Sequence, residues 1–540
     1  MSNAPWWRGA IIYQIYPRSF LDTDGDGVGD LPGIVERLDY VAELGVDAIW
    51  VAPFFKSPMA DFGYDIADYR EVDPLFGTLE DFDRLLHKAH GLGLKVMIDQ
   101  VLSHTSAEHA WFRESRQSRD NPKADWYVWA DARPDGTPPN NWLSLFGGSA
   151  WQWEPRRGQY YLHNFLASQP DLNFYNPEVR AATLDNVRFW LDKGVDGVRL
   201  DAINFCFHDR QLRDNPAKPS ERRVGRGFSP ANPYAFQYHY YNNTQPENLG
   251  FLAELRALMD GYADVAALGE ISSEDSLATM AEYTMHGRLH MGYSFELLTE
   301  DCSAAHIRGT VRQLEAQMTE GWPCWAISNH DVERVLSRWG NGDASAQLAN
   351  LFTAIVCSLR GSVCIYQGEE LGLTEADVPY ESLRDPYGIA FWPQFKGRDG
   401  CRTPMPWSDE DAQAGFSHGM PWLPVPEEHR ARAVAQQQGN PQSVLNGFRT
   451  FMRWRQAHPA LRWGDIEFLD TPEPILAFTR RLQGEALLVV FNLGTSAIEV
   501  TLPTLPGTPV ALDGNGLQAG TMQDGKLQLP GHGAWFAQLV

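Results

Sequence analysis

The sequence predicts an α/β protein built on a closed (β/α)8 TIM barrel, with a subdomain inserted after the third strand and an all-β sandwich domain at the C-terminus. Three observations lead to this fold class. Eight short apolar segments alternate with amphipathic stretches over the first two-thirds of the 540 residues. A stretch rich in Trp, Pro, Gly and Asn interrupts this alternation from about residue 106 to residue 173. Beyond about Leu461 the pattern changes to successive strands.

The eight barrel strands are predicted from short runs rich in β-branched and other apolar residues. They are Ile11–Tyr16, Ala48–Val51, Lys95–Gln100, Gly197–Leu200, Val265–Gly269, Met291–Ser294, Trp325–Ser328 and Val363–Tyr366. The amphipathic stretches between them include Leu31–Leu44, Leu79–Leu92 and Glu178–Lys193. Because strands that alternate with helices pair in parallel, we expect a closed barrel with its chemistry at the C-terminal strand ends.

The domain boundaries follow from the changes in pattern. The barrel is predicted over residues 1–104 and 174–458. Residues 105–173 are predicted to form the inserted subdomain B, because this stretch is too long for an ordinary barrel loop. A long excursion over 375–442 follows the eighth strand, and the C-terminal β-sandwich is predicted over 459–540. The closing helix and the first sandwich strands are predicted at Ser443–His458, Ile475–Leu482, Ala486–Leu493 and Ile498–Leu502.

The composition excludes several classes of partner. The formal net charge of -24 at pH 7 repels nucleic acid and anionic membranes, and no run of Lys and Arg offsets it. No stretch approaches the length of a membrane span. A small neutral substrate is therefore favoured over a phosphorylated one. The aromatic fraction of 12% fits either a carbohydrate site, where sugar faces stack on rings, or a large core.

The six cysteines indicate a reducing compartment. They have neither the spacing of a disulfide scaffold nor a CxxC metal pattern, and most lie in apolar stretches. The N-terminal stretch MSNAPWWRGAIIYQIY lacks the basic region and the long apolar run of a signal peptide. We therefore expect a cytoplasmic protein. The sequence makes no prediction of its oligomeric state.

An acidic loop, DTDGDGVGD, follows the first strand. Carboxylates at alternate positions with glycines between them can surround a hard cation, as in the first half of an EF-hand loop. Gly33 occupies the twelfth position, where an EF-hand has a bidentate Glu. Two interpretations remain open: a structural Ca²⁺ or Mg²⁺ site, and a solvated turn that caps the helix beginning near Leu31. The ligands would be Asp22, Asp24, Asp26, Asp30 and the backbone carbonyl of Val28. No cofactor is expected for the chemistry itself.

The fourth strand ends in an arginine and a carboxylate two residues apart. Side chains alternate along a strand, so Arg199 and Asp201 face the same way. Because a neighbouring guanidinium favours the ionised carboxylate, we expect the pKa of Asp201 to be depressed. Two interpretations fit this stretch alone: a structural ion pair that caps the strand, and an oriented nucleophile for sugar chemistry.

Two further strands also lead into acids. Glu270 follows the fifth strand directly. The seventh strand is followed by Asn329, His330 and Asp331. Three acids at the C-terminal ends of three barrel strands, with Arg and His beside them, favour catalysis over a structural role. Glycoside hydrolysis needs such a set, because one carboxylate attacks or activates water while another carboxyl group protonates the leaving oxygen.

Residue type and position indicate a role for each acid. Asp201 suits the nucleophile. Glu270 follows an apolar run without an adjacent cation, so we expect its carboxyl to stay protonated long enough to act as general acid and then as base. Asp331, beside His330, is expected to hold sugar hydroxyls and to stabilise the positive charge that develops on the sugar.

Seven strings occur in order along the chain: AIIYQIYPRSF, GYDIADY, MIDQVLSHTS, GVDGVRLDA, LGEI, ISNHD and GRDGCRTPMPW. Together they resemble the motifs of the α-amylase family of glycoside hydrolases, and within it the oligo-1,6-glucosidase/α-glucosidase branch. The resemblance runs from Ile11 to Trp407, and the terminal β domain fits the family. It implies a retaining mechanism with Asp201 as nucleophile, Glu270 as acid/base and Asp331 as the third acid.

The resemblance also implies the pocket for the glucose at the non-reducing end. Asp61 and Arg398 would close its far end and make the enzyme exo-acting on short chains. For Phe146 and Phe165, from the inserted subdomain, two interpretations remain open: pocket wall and subdomain core. The other residues implied for this pocket are Tyr64, His104, Arg199 and His330.

Two positions depart from the family pattern. Ser103 precedes His104 where the family usually has Asn, and Gln100 stands where an apolar residue is usual, although His104 itself is present. The residue after Asp201 is Ala202; in this branch Val there accompanies a preference for α-1,6 links, and smaller residues accompany α-1,4 or broader action. We therefore favour maltose-type or sucrose-type substrates over isomaltose.

The sequence thus predicts an exo-acting, retaining α-glucosidase that releases glucose from short α-glucosides, with transglucosylation open as a second fate of the same intermediate. The alternative enzyme is a sucrose or maltose glucosyltransferase or isomerase of the same branch. A non-catalytic relative, such as a transporter-associated or scaffold subunit, is disfavoured because all three acids are present and no anchor is expected.

Overall fold

The computed structural model of this protein describes residues 4–223, 231–503 and 505–540. The strands, numbered in chain order, are β1 (Ile11–Ile15), β2 (Ala48–Val51), β3 (Phe55–Lys56), β4 (Asp68–Val72), β5 (Lys95–Val101), β6 (Trp129–Ala130), β7 (Trp151–Glu154), β8 (Gln159–Leu162), β9 (Gly197–Asp201), β10 (Ala266–Ile271), β11 (Met291–Ser294), β12 (Cys324–Ala326), β13 (Ser362–Tyr366), β14 (Asp465–Phe468), β15 (Ile475–Leu482), β16 (Glu485–Asn492), β17 (Ile498–Val500), β18 (Pro509–Ala511), β19 (Thr521–Gln523), β20 (Lys526–Leu529) and β21 (Ala534–Leu539).

The α-helices, also in chain order, are α1 (Leu31–Glu43), α2 (Leu79–Gly91), α3 (Ala110–Ser115), α4 (Pro177–Lys193), α5 (Asn248–Met259), α6 (Ser276–Tyr283), α7 (Ala304–Gln317), α8 (Val335–Gly340), α9 (Ala346–Ser358), α10 (Pro386–Phe391), α11 (Glu427–Arg430), α12 (Val434–Gln438), α13 (Val444–Gln456) and α14 (Pro459–Trp463).

The central sheet is a parallel barrel of eight strands in the order β11-β10-β9-β5-β2-β1-β13-β12. A parallel bridge between Gly292 and Pro323 joins its two ends. The strands are buried on both faces, as expected when side chains fill the lumen and helices cover the outside. Because all eight strands point the same way, their carboxyl ends meet at one face of the barrel.

Local signals set the boundaries of the helices that precede the key strands. At the start of α2, the hydroxyl of Thr78 accepts from the amide of Asp81 while the Asp81 carboxylate accepts from the amide of Thr78. At the end of α4, Gly194 has a φ of 98°, in the left-handed region that glycine enters at low cost. This turn leads the chain directly into β9.

The predicted barrel strands are present, with shifts of one or two residues at their ends. Ala48–Val51 and Met291–Ser294 have the predicted bounds. The fifth barrel strand runs to Ile271, so Glu270 lies within the strand instead of after it. The seventh, Cys324–Ala326, ends two residues before its predicted end.

The stretch between β5 and α4 forms a three-stranded antiparallel sheet, β6-β8-β7, with the short helix α3. Trp142 and Trp151 stack in its small apolar core, with ring centroids 5.8 Å apart. A bridge between His104 and Asp171 ties the end of this stretch to the end of β5. The inserted stretch is thereby anchored beside the carboxyl ends of the barrel strands.

Two antiparallel sheets follow α14, with the orders β14-β15-β16-β21-β18 and β17-β20-β19. Apolar residues from both meet in one core, among them Val490, Leu527 and Trp535. This is the sandwich arrangement that the strand pattern predicts.

The six cysteines carry free thiols, and five of them are buried. The sulfur atoms of Cys324 and Cys364, on neighbouring barrel strands, lie 3.6 Å apart without a covalent bond. Every helix in the described part of the chain is too short or too polar to cross a bilayer.

Candidate active site

The carboxyl ends of the barrel strands surround one pocket. The three predicted acids, Asp201, Glu270 and Asp331, all line it. Of the eight residues predicted for substrate binding, seven also line it: Asp61, Tyr64, His104, Phe146, Phe165, His330 and Arg398. Arg199 is the exception, because its side chain is fully buried beneath the pocket floor.

Arg199 connects three carboxylates. Its Nη1 donates to Oδ1 of Asp99 at 2.8 Å and to Oδ1 of Asp201 at 2.7 Å. Its Nη2 lies 2.6 Å from Oε1 of Glu270 and donates to the hydroxyl of Tyr293 at 2.9 Å. The expectation that Glu270 has no cation beside it is therefore wrong. The cation comes from a neighbouring strand, which adjacency in the sequence does not reveal.

Burial decides the protonation of the two central acids. It raises the pKa of Glu270 to about 7, against the opposing effect of Arg199. It also raises the pKa of Asp201, and the negative charges of Asp99 and Asp331 add to the effect. The predicted depression of the Asp201 pKa is therefore wrong, because burial outweighs the effect of Arg199, whose guanidinium also contacts Asp99 and Glu270. The negative charge of Asp201 also contributes to the raised pKa of Glu270.

The pKa of Asp331 is shifted in the opposite direction. Its carboxylate lies 2.9 Å from Nη2 of Arg402, 3.2 Å from Nη1 of Arg398 and 3.2 Å from Nε2 of His330. Burial raises the pKa of Asp331, but His330 and the arginines outweigh it and hold that pKa well below its usual range. Asp331 is thus a permanent negative charge at the pocket.

One end of the pocket is closed by ion pairs. Nη2 of Arg398 donates to Oδ1 of Asp61 at 2.9 Å. Asp385 holds the same guanidinium from behind, accepting from Nη2 at 2.8 Å and from Nε at 3.0 Å. The guanidinium also lies over the ring of Phe146, 5.0 Å from its centroid. Fixed at three points, Arg398 and Asp61 form a polar wall.

His104 is held as a neutral imidazole beside this wall. Burial lowers its pKa to about 4. Its Nε2 lies 3.1 Å from the carbonyl oxygen of Tyr64, and its Nδ1 lies 2.9 Å from the hydroxyl of Ser103. Ser103 therefore gives the histidine a hydrogen-bond partner at the position where the family usually has Asn. Gln169 donates to Oδ2 of Asp61 at 3.1 Å and completes this side.

The two aromatic residues of the inserted stretch lie on the pocket wall. The ring centroid of Phe165 is 5.0 Å from that of His104 and 5.2 Å from that of Phe205. Phe146 packs against Phe165 at 6.2 Å and against Tyr387 at 5.4 Å. Of the two interpretations open at the sequence level, the geometry favours pocket wall.

Several residues that support the site were not singled out from the sequence. Tyr293 shares a face of β11 with Met291, and both pack in the same buried cluster, so a period-two pattern could have indicated it. Asp385 and Arg402 belong to the long excursion after β13, whose path is not readable from local sequence. Gln169 lies at the far end of the inserted stretch, and local sequence does not predict the path of that stretch either.

The acidic loop gathers three of its predicted ligands. Carboxylate oxygens of Asp22, Asp24 and Asp30 lie within 4.8 Å of one another. Asp26 is outside this group, and its Oδ1 accepts from the amide of Val28 at 2.8 Å. Asp30 also caps α1 through the amide of Gly33. The loop thus combines both interpretations: it caps a helix and presents the oxygen donors that suit a hard cation.

Comparison with known proteins identifies the family. Residues 14–464 match the family model described as Alpha amylase, catalytic domain. The chain is 56% identical to a probable alpha-glucosidase of Rhizobium meliloti (strain 1021), over 99% of this chain and 97% of the relative. It is 39% identical to an oligo-1,6-glucosidase of Heyndrickxia coagulans, over 92% and 94% of the two chains. The crystal structure of the alpha-glucosyl transfer enzyme XgtA superposes with a TM-score of 0.98 at 68% identity, over 100% of both chains. This chain belongs to the α-amylase family of glycoside hydrolases.

Proposed function

We propose that the protein is an exo-acting, retaining α-glucosidase that releases glucose from the non-reducing end of short α-glucosides. The observation that carries the proposal is the placement of Asp201 and Glu270 on the guanidinium of Arg199, in a pocket whose far end Asp61 and Arg398 close. A closed end admits a chain terminus and excludes the interior of a polymer.

The reaction follows from the charges of the three acids. An oxygen of the Asp201 carboxylate attacks the anomeric carbon, the glycosidic C–O bond breaks, and the leaving oxygen takes the proton of Glu270. Glu270 then accepts a proton from water as that water displaces Asp201 and releases glucose. Asp331, which stays ionised, stabilises the positive charge on the sugar in both transition states.

The linkage preference rests on Ala202. This residue lines the pocket beside the nucleophile, and its small side chain leaves more room than Val would. We therefore propose α-1,4-linked substrates such as maltose, or sucrose, ahead of isomaltose.

Transfer of glucose to an acceptor other than water is the second candidate function. A cleft of about 360 Å³ adjoins the pocket and shares Ser272 and Phe295 with it. It is lined by further aromatic side chains, including Tyr238 and Tyr240, whose rings stack in parallel 4.9 Å apart. An acceptor alcohol or sugar bound there would lie on the Glu270 side of the pocket. The similarity to XgtA, named as an alpha-glucosyl transfer enzyme, supports this candidate.

Identification of the products and of their glycosidic linkages distinguishes between these two functions. Maltose, sucrose and isomaltose are incubated separately with the enzyme, and free glucose is compared with new glucosides. Predominant glucose from maltose or sucrose supports the glucosidase, whereas predominant rearranged or transferred product supports the transferase or isomerase. In the same assay Asp201→Asn must lose nearly all turnover of an aryl α-glucoside; near-wild-type turnover would refute the mechanism.

We also propose that the acidic loop binds a structural Ca²⁺ or Mg²⁺ through Asp22, Asp24 and Asp30, with Asp26 and the carbonyl of Val28 as the remaining predicted ligands. Chelation is expected to lower the unfolding temperature, and added Ca²⁺ or Mg²⁺ to restore it. Asp24→Asn should remove this response. An unfolding temperature that ignores chelator and metal alike would contradict the proposal.

A cytoplasmic location remains a proposal. The free thiols of the six cysteines support it, because buried, unpaired cysteines suit a reducing compartment. Fractionation of the native host with an antibody to this chain would test it.

A further inference from the structure

His330 is enclosed by aromatic rings and approached by two polar side chains. Its ring stacks on that of Tyr64, with centroids 5.2 Å apart and planes 4° apart, and Tyr16 lies 5.7 Å away on a nearly parallel plane. The polar groups reach its two nitrogens: Gln14 at Nδ1 and Asp331 at Nε2. The imidazole therefore has little freedom to turn, and its two nitrogens face different partners.

The electrostatics leave this imidazole neutral, so that it carries one N–H. His330 is buried, and the positive charges of Arg402, Arg199 and Arg398 disfavour a further proton, against the single opposing charge of Asp331. These effects lower the pKa of His330 to about 3. A neutral imidazole donates from one nitrogen and accepts at the other.

Asp331 favours one of the two nitrogens as the donor. Nε2 of His330 lies 3.2 Å from Oδ2 of Asp331. An ionised carboxylate only accepts hydrogen bonds, so a lone pair on Nε2 would face negative charge without a hydrogen between them. The carboxylate therefore favours hydrogen on Nε2, which leaves Nδ1 as an acceptor, and a donor at Nδ1 would favour the same tautomer.

We infer that Gln14 is a positioning residue that holds His330 in the Nε2–H tautomer. Its Nε2 amide nitrogen lies 2.7 Å from Nδ1 of His330, and both side chains are 1% exposed. Oε1 of Gln14 has no hydrogen-bond partner among the described residues, so His330 is the group that orients this amide. With the amide reversed, Oε1 would face the lone pair of Nδ1, and the arrangement would be repulsive.

The barrel gives Gln14 a fixed position for this role. Its backbone pairs with Tyr366 on one side and Trp50 on the other, so it lies in the middle of a continuous sheet. The backbone that carries the amide is therefore fixed. The inference rests on the proposed function for its consequence: an Nε2–H directed at the pocket can donate to a sugar hydroxyl or to Asp331, whereas the other tautomer can do neither.

The tautomer can be read directly, without an activity assay. In protein labelled with ¹⁵N-histidine, long-range ¹⁵N–¹H correlations distinguish a protonated ring nitrogen from an unprotonated one. The signal of His330 among the 15 histidines is identified by its loss in His330→Asn. The wild-type spectrum is expected to have hydrogen on Nε2 and none on Nδ1. Hydrogen on Nδ1 in the wild type would overturn the inference.

Two variants of similar side-chain length test the role of the amide. Gln14→Met removes the donor, so both tautomers should be populated and kcat/KM should fall about ten- to a hundredfold. Gln14→Glu presents only acceptors while ionised, so the Nδ1–H tautomer should be more populated than in Gln14→Met, against the opposing effect of Asp331. Gln100→Met is the matched control, because Gln100 is an equally buried barrel-strand glutamine whose side-chain amide has no partner among the described residues.

The outcomes separate this inference from the proposed function. If Gln14→Met keeps hydrogen on Nε2 and a wild-type kcat/KM, Gln14 has no positioning role. If Gln100→Met loses kcat/KM as much as Gln14→Met, the effect is one of packing and the inference fails. If the enzyme does not act on α-glucosides, the proposed function fails while the tautomer measurement still decides the role of Gln14. Should Gln14→Met not fold, the wild-type and Gln14→Glu spectra decide.

Discussion

Nη2 of Arg199, on β9, lies 2.6 Å from Oε1 of Glu270, on β10, although the two residues are 71 positions apart in the sequence. The same guanidinium contacts Asp201 at 2.7 Å. The nucleophile and the acid/base proposed for this enzyme are therefore not electrostatically independent. A change that alters the charge or hydrogen bonding of one should be detectable in the titration of the other.

The basic limb of the pH profile is expected to report Glu270. Its raised pKa of about 7 means that the protonated acid is lost, and kcat/KM falls, as pH rises through that value. The hydroxyl of Tyr293 donates to Oε1 of Glu270 at 2.8 Å and thereby favours the ionised form. Tyr293→Phe removes this donor, so the pKa of Glu270 should rise and the basic limb should move to higher pH by about half a unit or more.

The measurement is kcat/KM for an aryl α-glucoside across the pH range. Tyr283→Phe is a suitable control, because the hydroxyl of Tyr283 bonds to Asn248 and not to any of the three acids. A basic limb that stays in place or moves to lower pH in Tyr293→Phe would contradict the assignment.

Asp385 is expected to act on substrate affinity through Arg398. Asp385→Asn removes the charge that holds this guanidinium from behind, so the closed end of the pocket should loosen. KM for maltose should rise about tenfold or more, with a smaller change in kcat. Asp377→Asn, which breaks an exposed pair with Lys396, serves as control and should leave both constants near wild type. A loss confined to kcat would argue against this role.

Ala202 is a position of backbone strain as well as a pocket wall. Its φ of 41° and ψ of 45° lie in the left-handed region. A β-branched residue there is strained by about 1–3 kcal/mol, so Ala202→Val should lower the unfolding temperature, whereas Ala202→Gly should maintain or raise it.

The same Ala202→Val variant tests the proposed linkage preference. Its total activity should fall, but the ratio of isomaltose to maltose turnover should rise, because the added methyl groups fill space beside Asp201. The ratio is the informative quantity, since strain affects both substrates alike. An unchanged ratio would show that Ala202 does not determine the linkage preference.

The stability of the fold is expected to depend on pH through Glu375. Burial raises the pKa of Glu375 to about 8, so between its ordinary value and about 8 the folded state binds more protons than the unfolded state. The associated stability is therefore present at low pH and is lost as pH rises through about 8. Glu375→Gln keeps an oxygen to accept from the amide of Arg334 and should unfold at a higher temperature than the wild type above pH 8.

Thermal unfolding at pH 5 and pH 9 checks this prediction. The gain should be of the order of 1 kcal/mol or more at pH 9 and should shrink at pH 5, where the wild-type carboxyl is already protonated. An equal effect at both pH values would indicate a packing change instead.

The alternation of strand and helix predicted the barrel, because parallel pairing and a common strand direction follow from local pattern alone. The same reasoning placed Asp201, Glu270 and Asp331 at one face before any distance was known. It also paired Arg199 with Asp201, since side chains two apart on a strand share a side. Recognition of ordered motifs then supplied Asp61, His104 and Arg398, which no periodicity reveals.

What only the tertiary structure decided is how charge is shared across strands. Local sequence predicted a depressed pKa for Asp201 and no cation beside Glu270. The first expectation failed because burial raises the pKa of Asp201 more than Arg199 lowers it, and the second failed because Arg199 reaches Glu270 from a neighbouring strand. A pKa depends on burial and on every neighbour within a few ångströms, whichever part of the chain supplies it. The sequence by itself determined which acids meet at the pocket; the packing of β5, β9 and β10 around a single guanidinium decided which of them can hold a proton.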